Sequence, residues 1–250
     1  MHLCKVCNKP LTEIQVKRNF ECCSKGCATS FRCAAHDPNF FEMDNKYVLY
    51  YILGLIVTDG NISNDNKKLT LSLTDKGIIE KLASLMIDQK KRKIYIYTPL
   101  SKNSSTAYTL VNTNADAIYM LNQMNIHSNK TYSQTFPTIS DEYIYPFLRG
   151  VFDGDGCIYV SNKKYNKYYS VSITTASKSF TDGLVATLKH LGYNPTVVLD
   201  SRRKDFVNKT YVIKLNKQKE VKFFMDNIYK NSFGFYINYK YDKYYNKNIV

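Results

Sequence analysis

Hydrophobic and polar positions follow the same order twice between residues 44 and 230. Each half opens with an apolar, aromatic helix that ends in Asp-Gly, and a short apolar step, an Asn/Lys-rich turn and a strand with alternating apolar residues follow. An amphipathic helix, two more strands and a last helix complete each half. The pattern is therefore an internal repeat. The predicted helices and strands are 47–59, 61–62, 69–74, 78–87, 93–97, 106–111 and 116–124, then 143–155, 157–158, 171–174, 180–191, 196–199, 211–215 and 220–228.

This order of elements predicts an α+β fold, with helices on one face of antiparallel sheets and the other face open to a ligand. We expect three parts, at residues 1–40, 44–136 and 137–250. Residues 125–140 between the halves are polar and contain Pro137, which is typical of a linker. The tail, 233–248, interleaves Tyr and Phe with Lys. It could either pack on the sheets or lie on a nucleic acid.

The charge of the chain points to a polyanionic partner. Its 250 residues carry a formal net charge of +14, which favours nucleic acid first and an anionic membrane surface second. An AT-rich genome would explain the many lysines and asparagines but not the shortage of acids. The longest apolar run, 47–57, is about half of what spans a bilayer, and the N-terminus has no signal-peptide pattern. We therefore expect an intracellular protein without membrane association.

Small residues define one face of each opening helix. Gly54 and Thr58 stand four residues apart in the first helix, as do Gly150 and Gly154 in the second. This spacing puts each pair on one side of its helix, where another backbone can approach closely. The sequence therefore predicts that the two helices pack side by side along these strips.

Such packing would bring Asp59 and Asp155 together at the C-terminal ends of the helices. The helix dipole already disfavours negative charge there, so two carboxylates are unfavourable alone and favourable with hard divalent cations. That setting suits metal-assisted hydrolysis of a phosphodiester. A single apolar helix ending in Asp-Gly would be read as a core helix followed by a turn. Two copies, each opening a matching half, favour the catalytic interpretation.

The stretches Ile52-Leu53-Gly54-Leu55-Ile56-Val57-Thr58-Asp59-Gly60 and Leu148-Arg149-Gly150-Val151-Phe152-Asp153-Gly154-Asp155-Gly156 resemble the paired signatures of LAGLIDADG homing endonucleases. They agree at the first glycine, at the apolar pair after it and at the terminal Asp-Gly. They depart at Val57, where the pattern has its first Asp, and at Arg149, where it has a small residue. The resemblance covers about residues 44–230.

The resemblance implies two αββαββα repeats whose sheets form a saddle over DNA, and a monomer, because one chain supplies both half-sites. It implies a metal-dependent endonuclease that cuts both strands of a long, specific double-stranded site, with Asp59 and Asp155 as catalytic ligands of Mg²⁺ or another divalent cation. Such proteins are encoded in mobile introns or as free-standing homing genes. Alternating strand residues could contact bases, and basic residues could support catalysis or contact DNA. The candidates are Thr70, Ser72, Thr74, Ser172 and Thr174 for bases, and Lys76, Lys178, Lys214, Arg202, Arg203 and Lys204 for the basic positions.

The N-terminal part contains a candidate zinc site. Cys4 and Cys7 form one close pair, and Cys23 and Cys27 form another, with fifteen residues between the pairs. This spacing suits one tetrahedral, structural Zn²⁺, and a segment too small to bury much core needs such a cross-link. Cys22 adjoins Cys23, and either Cys33 or His36 could replace a ligand, so the register stays open.

Two other classes of function are compatible with the same sequence. On the same fold, the chain could be an RNA-splicing maturase, which would bind RNA, or a DNA-binding regulator that does not cut. A different class is an interaction protein that presents a zinc module and scaffolds RNA with its basic halves. The presence of both acids favours the endonuclease over a regulator.

Overall fold

The computed structural model describes residues 2–4, 9–24, 27, 44–85, 93–97, 105–163, 166–200 and 209–246. A short helix, α1 (Glu13–Lys17), precedes two halves with the same element order. The first half contains α2 (Lys46–Asp59), β1 (Gly60–Ile62), β2 (Leu69–Leu73), α3 (Lys76–Ser84), β3 (Lys93–Tyr97), β4 (Ala107–Asn112) and α4 (Ala115–Gln123). The second contains α5 (Ile144–Asp155), β5 (Gly156–Lys163), β6 (Asn166–Thr175), α6 (Lys178–His190), β7 (Thr196–Leu199), β8 (Tyr211–Leu215) and α7 (Gln218–Tyr229), and α8 (Asn238–Tyr245) follows.

Polar side chains cap the starts of α2, α3 and α6. The side chain of Asn45 accepts a hydrogen bond from the backbone N–H at the third position of α2, and Asp75 does the same for α3. Ser177 is the equivalent cap of α6. Each cap satisfies an amide that has no partner within its helix. The same capping chemistry therefore begins corresponding helices in both halves.

Each half forms a four-stranded antiparallel sheet, in the order β1-β2-β4-β3 and β5-β6-β8-β7. Along β2, Leu69, Leu71 and Leu73 are buried, whereas Thr70 and Ser72 point to the opposite face. The buried face packs against the helices, and a single hydrophobic core joins both halves. The two αββαββα repeats and their antiparallel sheets confirm the predicted α+β fold.

One loop of the second half is shorter than expected. The Asn and Lys content of residues 162–167 predicted a turn, but β5 runs to Lys163 and β6 begins at Asn166. Asn162 pairs with Lys167, and Lys163 pairs with Asn166. Backbone pairing does not depend on apolar side chains, so the hairpin continues past the last apolar residue. Polar composition therefore marked the end of the core and not the end of the strands.

The C-terminal tail packs on the protein. Helix α8 lies against β5, and the ring of Tyr229 in α7 meets Tyr236, Tyr241 and Tyr245 edge-on. Aromatic pairs in this geometry add to the energy of burial. Of the two alternatives left open by the sequence, the structure shows packing on the protein, with contacts to both halves.

The N-terminal part is described at residues 2–4, 9–24 and 27. Thr12 and Gln15 form a reciprocal capping box at the start of α1. The Gln15 side chain also donates to the Cys23 carbonyl at 2.9 Å, which connects α1 to the cysteine segment. In the ranges given above, no helix is long and apolar enough to span a membrane.

Candidate active site between the motif helices

Helices α2 and α5 pack more extensively on each other than any other two described elements. A Cβ atom on Gly54 would lie 2.8 Å from the Gly150 Cα, and a Cβ on Gly150 would lie 2.8 Å from the Gly54 Cα. Real Cβ atoms do not approach other carbon atoms so closely. The two backbones therefore meet because both positions lack a side chain, as the four-residue strips predicted.

Thr58 and Gly154 continue this contact toward the C-terminal ends. Thr58 Oγ1 lies 3.2 Å from the Gly54 carbonyl and 3.1 Å from the Leu55 carbonyl, to which it can donate. A Cβ on Gly154 would lie 2.5 Å from the Oδ2 of Asp59. The Asp59 carboxylate therefore rests directly against the last turn of α5, and the close packing brings the acid of one helix to the end of the other.

The two acids repel each other and both occupy a partly desolvated position. Burial raises the pKa of Asp59. Burial, followed by the negative charge of Asp59, raises the pKa of Asp155 to about 6. Each carboxylate is also the last residue of its helix, where carbonyl dipoles disfavour negative charge. Such a pair of oxygen ligands would be stabilised by divalent cations.

Two lysines lie at the same helix ends. Lys130 Nζ donates to the Thr58 carbonyl at 3.3 Å, and Lys240 Nζ donates to the Phe152 and Asp153 carbonyls at 2.8 and 2.7 Å. Cations at a helix C-terminus satisfy carbonyls that have no partner within the helix and oppose its dipole. The charges of both lysines also lower the pKa of both acids, opposing the effect of burial. Burial in turn lowers the pKa of each lysine.

These two lysines were not among the candidate residues predicted from the sequence. Lys130 lies in the predicted linker, and Lys240 lies in a tail with several other lysines. Neither occupies a fixed spacing from the motif in its own half, so the repeat did not reveal them. The predicted linker and tail therefore both contribute to the candidate site.

Two cavities flank the acids, and each combines parts of both halves. A cavity of about 650 Å³ is lined by Asp155, Lys130 and Thr58 together with strand residues of the second sheet. A second cavity, of about 380 Å³, is lined by Asp59, Lys240 and strand residues of the first sheet. Each cavity thus pairs the acid of one half with the lysine that follows the other half. The arrangement offers two centres, which we call the Asp155 centre and the Asp59 centre.

The basic residues predicted from the sequence lie elsewhere. Lys76 and Lys178 begin α3 and α6, where they form exposed ion pairs with Glu80 and Asp182. Lys214 is half-buried on β8, where Ser172 is its partner across the strands. Their part in catalysis or DNA contact stays a prediction. The Arg202, Arg203 and Lys204 loop lies outside the described residues, as do Cys7, Cys33 and His36 of the zinc prediction.

The sheet faces turned away from the helices carry short polar side chains. Thr70 and Ser72 lie on this face of β2, and Ser72 hydrogen-bonds across the strands to Thr109 at 2.7 Å. Ser172 and Thr174 occupy the matching face of β6, where they alternate with the buried Val171 and Ile173. Thr74 follows β2 and lines the Asp59 centre. Short hydroxyl side chains on an open sheet can approach base edges in a groove.

Three of the four predicted zinc ligands can be placed, and their sulfur atoms converge. The Sγ atoms of Cys4, Cys23 and Cys27 all lie within 4.8 Å of one another, with 3.8 Å between Cys23 and Cys27. Burial, followed by the adjacent Cys4, raises the pKa of the Cys22 thiol. Cys22 is therefore close to the group without being one of its three members. This geometry favours the register that uses Cys23.

Comparison with known proteins identifies the fold. Residues 142–229 match the model of the LAGLIDADG-like domain family. The N-terminal LAGLIDADG domain of DUF199/WhiA superposes with a TM-score of 0.50 and 16% identity, covering 74% of this chain and 82% of that domain. The protein therefore has a LAGLIDADG-like fold.

Two other proteins are also similar to this chain. A mesophilic variant of the homing endonuclease I-DmoI has a TM-score of 0.49 and 19% identity, covering 74% of this chain and 96% of the variant. I-DmoI has been crystallised with DNA and Ca. An uncharacterized protein of Methanocaldococcus jannaschii is 22% identical over 158 residues, which are 62% of this chain. The match spans 59% of the length of that archaeal protein.

Proposed function

We propose that this protein is a site-specific DNA endonuclease that hydrolyses one phosphodiester in each strand of a duplex. The observation that carries the proposal is the pairing of Asp59 and Asp155 at adjacent helix ends, with a lysine beside each helix end. A fold used only for binding would gain nothing from two mutually repelling carboxylates at this position. Ionisable side chains with perturbed pKa values in a cleft are typical of catalytic sites.

Asp59 and Asp155 would hold the divalent cations, since carboxylate oxygens are the ligands that Mg²⁺ prefers. When bound, these ions supply Lewis acidity and a nucleophilic water at neutral pH. Lys130 and Lys240 hold positive charge in the two cavities next to the acids. Their ammonium groups can stabilise the extra negative charge that develops on the phosphate during hydrolysis. Two centres in one chain fit two strands, which is why we propose a monomer.

The substrate class follows from charge and shape. The net charge of +14 suits the phosphate backbone, and the open sheet faces present hydroxyl groups at positions able to contact bases. An exposed aromatic side chain, Tyr159, extends this surface on β5. We propose that both sheets contact one long duplex site.

Incubating the protein with a library of random duplex DNA and Mg²⁺, followed by sequencing of the new ends, tests this function. We expect ends from both strands to map to one sequence at a constant offset, with none formed in EDTA. Specific enrichment of bound DNA without new ends would instead indicate a regulator. Preferential binding of RNA would indicate a maturase or an RNA scaffold.

Binding should weaken steeply with salt. Each phosphate that a lysine or arginine neutralises releases counterions, so the log-log slope of affinity against salt is about −0.9 per phosphate contact on duplex DNA. Several contacts should therefore give a slope of roughly −4 or steeper. Fluorescence anisotropy across a range of KCl concentrations measures it. A slope near −1 would show that the basic residues contact only about one phosphate, so that the net charge reflects amino-acid composition and not a DNA-binding surface.

We also propose that Cys4, Cys7, Cys23 and Cys27 bind one structural Zn²⁺ in the N-terminal part. The support is the convergence of three of these sulfur atoms in a site built from thiolates, which zinc prefers. Four thiolates would leave no open position on the metal. The role is therefore to stabilise an accessory segment that adds DNA contact, with no part in the chemistry.

Cys4→Ser should reduce bound zinc from about one ion per chain to nearly none, because a structural site needs all four ligands. Elemental analysis after dialysis measures the metal. Cys157→Ser is the matched control, because Cys157 is exposed on the second sheet, and it should retain full zinc. Zinc retained by the Cys4 variant, or lost from the Cys157 variant, would place the metal elsewhere. DNA should still be cut at the same position by both variants.

A further inference from the structure

Asp153 is a buried carboxylate, two residues before Asp155, that is bonded to three separate parts of the chain. Only 2% of its surface is exposed. Its Oδ2 accepts from Tyr51 Oη of α2 at 3.0 Å, and its Oδ1 accepts from Tyr229 Oη of α7 at 3.3 Å. The third donor is the backbone N–H of Ile237, 2.9 Å from Oδ2. The carboxylate therefore joins both motif helices, the last helix of the repeat and the tail.

The bond to Ile237 fixes the tail at the point where α8 begins. Ile237 is the N-cap residue of that helix, and Lys240 lies in its first turn. Lys240 Nζ then donates to three carbonyls of the last turn of α5, those of Phe152, Asp153 and Gly154, at 2.8, 2.7 and 3.2 Å. The Asp153 side chain thus holds the segment that delivers Lys240 to the Asp59 centre.

Among the residues that the structure describes, the other centre has no matching arrangement. Val57 occupies the place in α2 that Asp153 occupies in α5, two residues before the terminal acid. Lys130 is held at the end of α2 by a hydrogen bond of 3.3 Å to the Thr58 carbonyl. Its segment therefore reaches the Asp155 centre without a carboxylate of the motif helix to fix it. The repeat is symmetric in its catalytic acids but asymmetric in how its lysines are positioned.

We infer that Asp153 is a positioning residue that acts through Lys240, and that it supports the cutting of one strand only. The inference rests on the proposed endonuclease function. Lys240 and Asp59 line one cavity, so a displaced Lys240 removes positive charge from that centre and leaves Lys130 beside Asp155. A residue that served only the stability of the core would affect both centres alike.

Three substitutions separate positioning from stability. Asp153→Asn keeps the size of the side chain but removes its negative charge and leaves one acceptor oxygen for three donors, so at least one of the three hydrogen bonds is lost or reversed. Ile237→Pro removes that N–H and keeps an apolar side chain of smaller size, and the φ of −80° at this position suits proline. Lys240→Met removes the charge itself. Lys243→Met is the matched control, because Lys243 lies on the same helix and contacts only Tyr239 by hydrogen bond or ring contact in the described structure.

The experiment uses the full chain and a duplex recovered from the random library, with each strand labelled by a different dye. We expect Lys240→Met to slow one strand by about 100-fold, the effect typical of losing one electrostatic stabiliser in a water-poor site. Asp153→Asn and Ile237→Pro should slow the same strand by at least about 10-fold, and leave the other within about 2-fold, so that nicked DNA accumulates. Lys243→Met should cut both strands at the parental rate. Thermal unfolding of each variant confirms that it is folded at the assay temperature.

Equal slowing of both strands by Asp153→Asn and Ile237→Pro would overturn the inference, as would parental rates on both strands. The inference would also be overturned if Asp153→Asn or Ile237→Pro slowed the strand that Lys240→Met leaves unaffected. In all of these cases the parent protein still cuts, and the proposed function stands. If the parent cuts neither strand of any library member, the proposed function itself fails, and that result is distinct from the outcomes above.

Discussion

Asp59→Asn and Asp155→Asn should each abolish double-strand cleavage while leaving DNA affinity close to that of the parent. Asparagine keeps the size of the side chain but replaces a charged metal ligand by a neutral amide. We expect the rate of double-strand cleavage to fall by at least about 10³-fold, equivalent to about 4 kcal/mol of lost transition-state stabilisation. Affinity should persist because phosphate contacts come from the basic surface and not from the acids. Each variant lacks one carboxylate that repels phosphate, so its binding in EDTA should be at least as tight as that of the parent.

Asp65→Asn is the matched control for these variants. Asp65 is an exposed acid of the first half that bonds to Ser63 and Lys67, away from the motif helices. The Asp65→Asn variant should cut DNA at the parental rate. If either motif variant cut both strands as fast as this control, the assignment of the active site would be wrong.

The Asp155→Asn substitution should stabilise the metal-free protein against unfolding. The pKa of Asp155 is raised to about 6, above its ordinary value of 3.8, so the folded state holds this proton more tightly than the unfolded chain. Stability from the protonated form is complete at low pH and is lost as pH rises through about 6. The unfolding temperature of Asp155→Asn in EDTA should therefore exceed that of the parent increasingly from pH 4 to pH 6 and then level off. Mg²⁺ should narrow the difference by stabilising only the parent.

Placing a side chain in the contact between the motif helices should be strongly destabilising. A Cβ on Gly54 would meet the Phe147 carbonyl and the Gly150 Cα, and a Cβ on Gly150 would meet the Tyr51 carbonyl. These neighbours are backbone atoms of rigid helices and cannot rotate away. Overpacking typically costs 1 to 3 kcal/mol, so we expect at least about 3 kcal/mol for Gly54→Ala or Gly150→Ala. Urea unfolding measures the loss of stability.

Cleavage should fall with stability in these variants, because separation of α2 and α5 also separates the two acids. Gly77→Ala is the control, since this glycine lies in α3 with only the Asp75 side chain near its Cβ position, at 3.3 Å. The Gly77→Ala variant should change stability by less than about 1 kcal/mol, because the better helix propensity of alanine is opposed by the close approach of its Cβ to the Asp75 cap. A neutral Gly54→Ala variant would mean that the two helices do not approach as closely as the structure shows.

The architecture could be predicted because its periodicity is local. Alternation at Leu69, Leu71 and Leu73 identifies a strand from five residues, and Asp-Gly marks the end of each motif helix. The extension of β5 to Lys163 escaped prediction for the opposite reason. That pairing depends on backbone hydrogen bonds across a hairpin, and it cannot be inferred from the pattern of polar side chains.

The residues of the candidate site were likewise predictable only in part. Asp59 and Asp155 belong to repeated motifs, so the sequence could place them together, whereas Lys130 and Lys240 reach the site through the linker and the tail. Nothing in the local pattern distinguishes them from other lysines, because their role depends on long-range packing. Asp153 was visible as part of the motif. Its partners Tyr51, Tyr229 and Ile237 come from three distant segments, which only the folded chain brings together.

The central claim is that Asp59 and Asp155 of one chain act together on one duplex. Its most direct test is double-strand cleavage of the recovered site in Mg²⁺ by the parent and by each single Asp→Asn variant. The account predicts that the parent makes the double-strand break and that neither variant alone does, because neither variant chain holds both acids. Double-strand cleavage by either variant alone at the parental rate would contradict it.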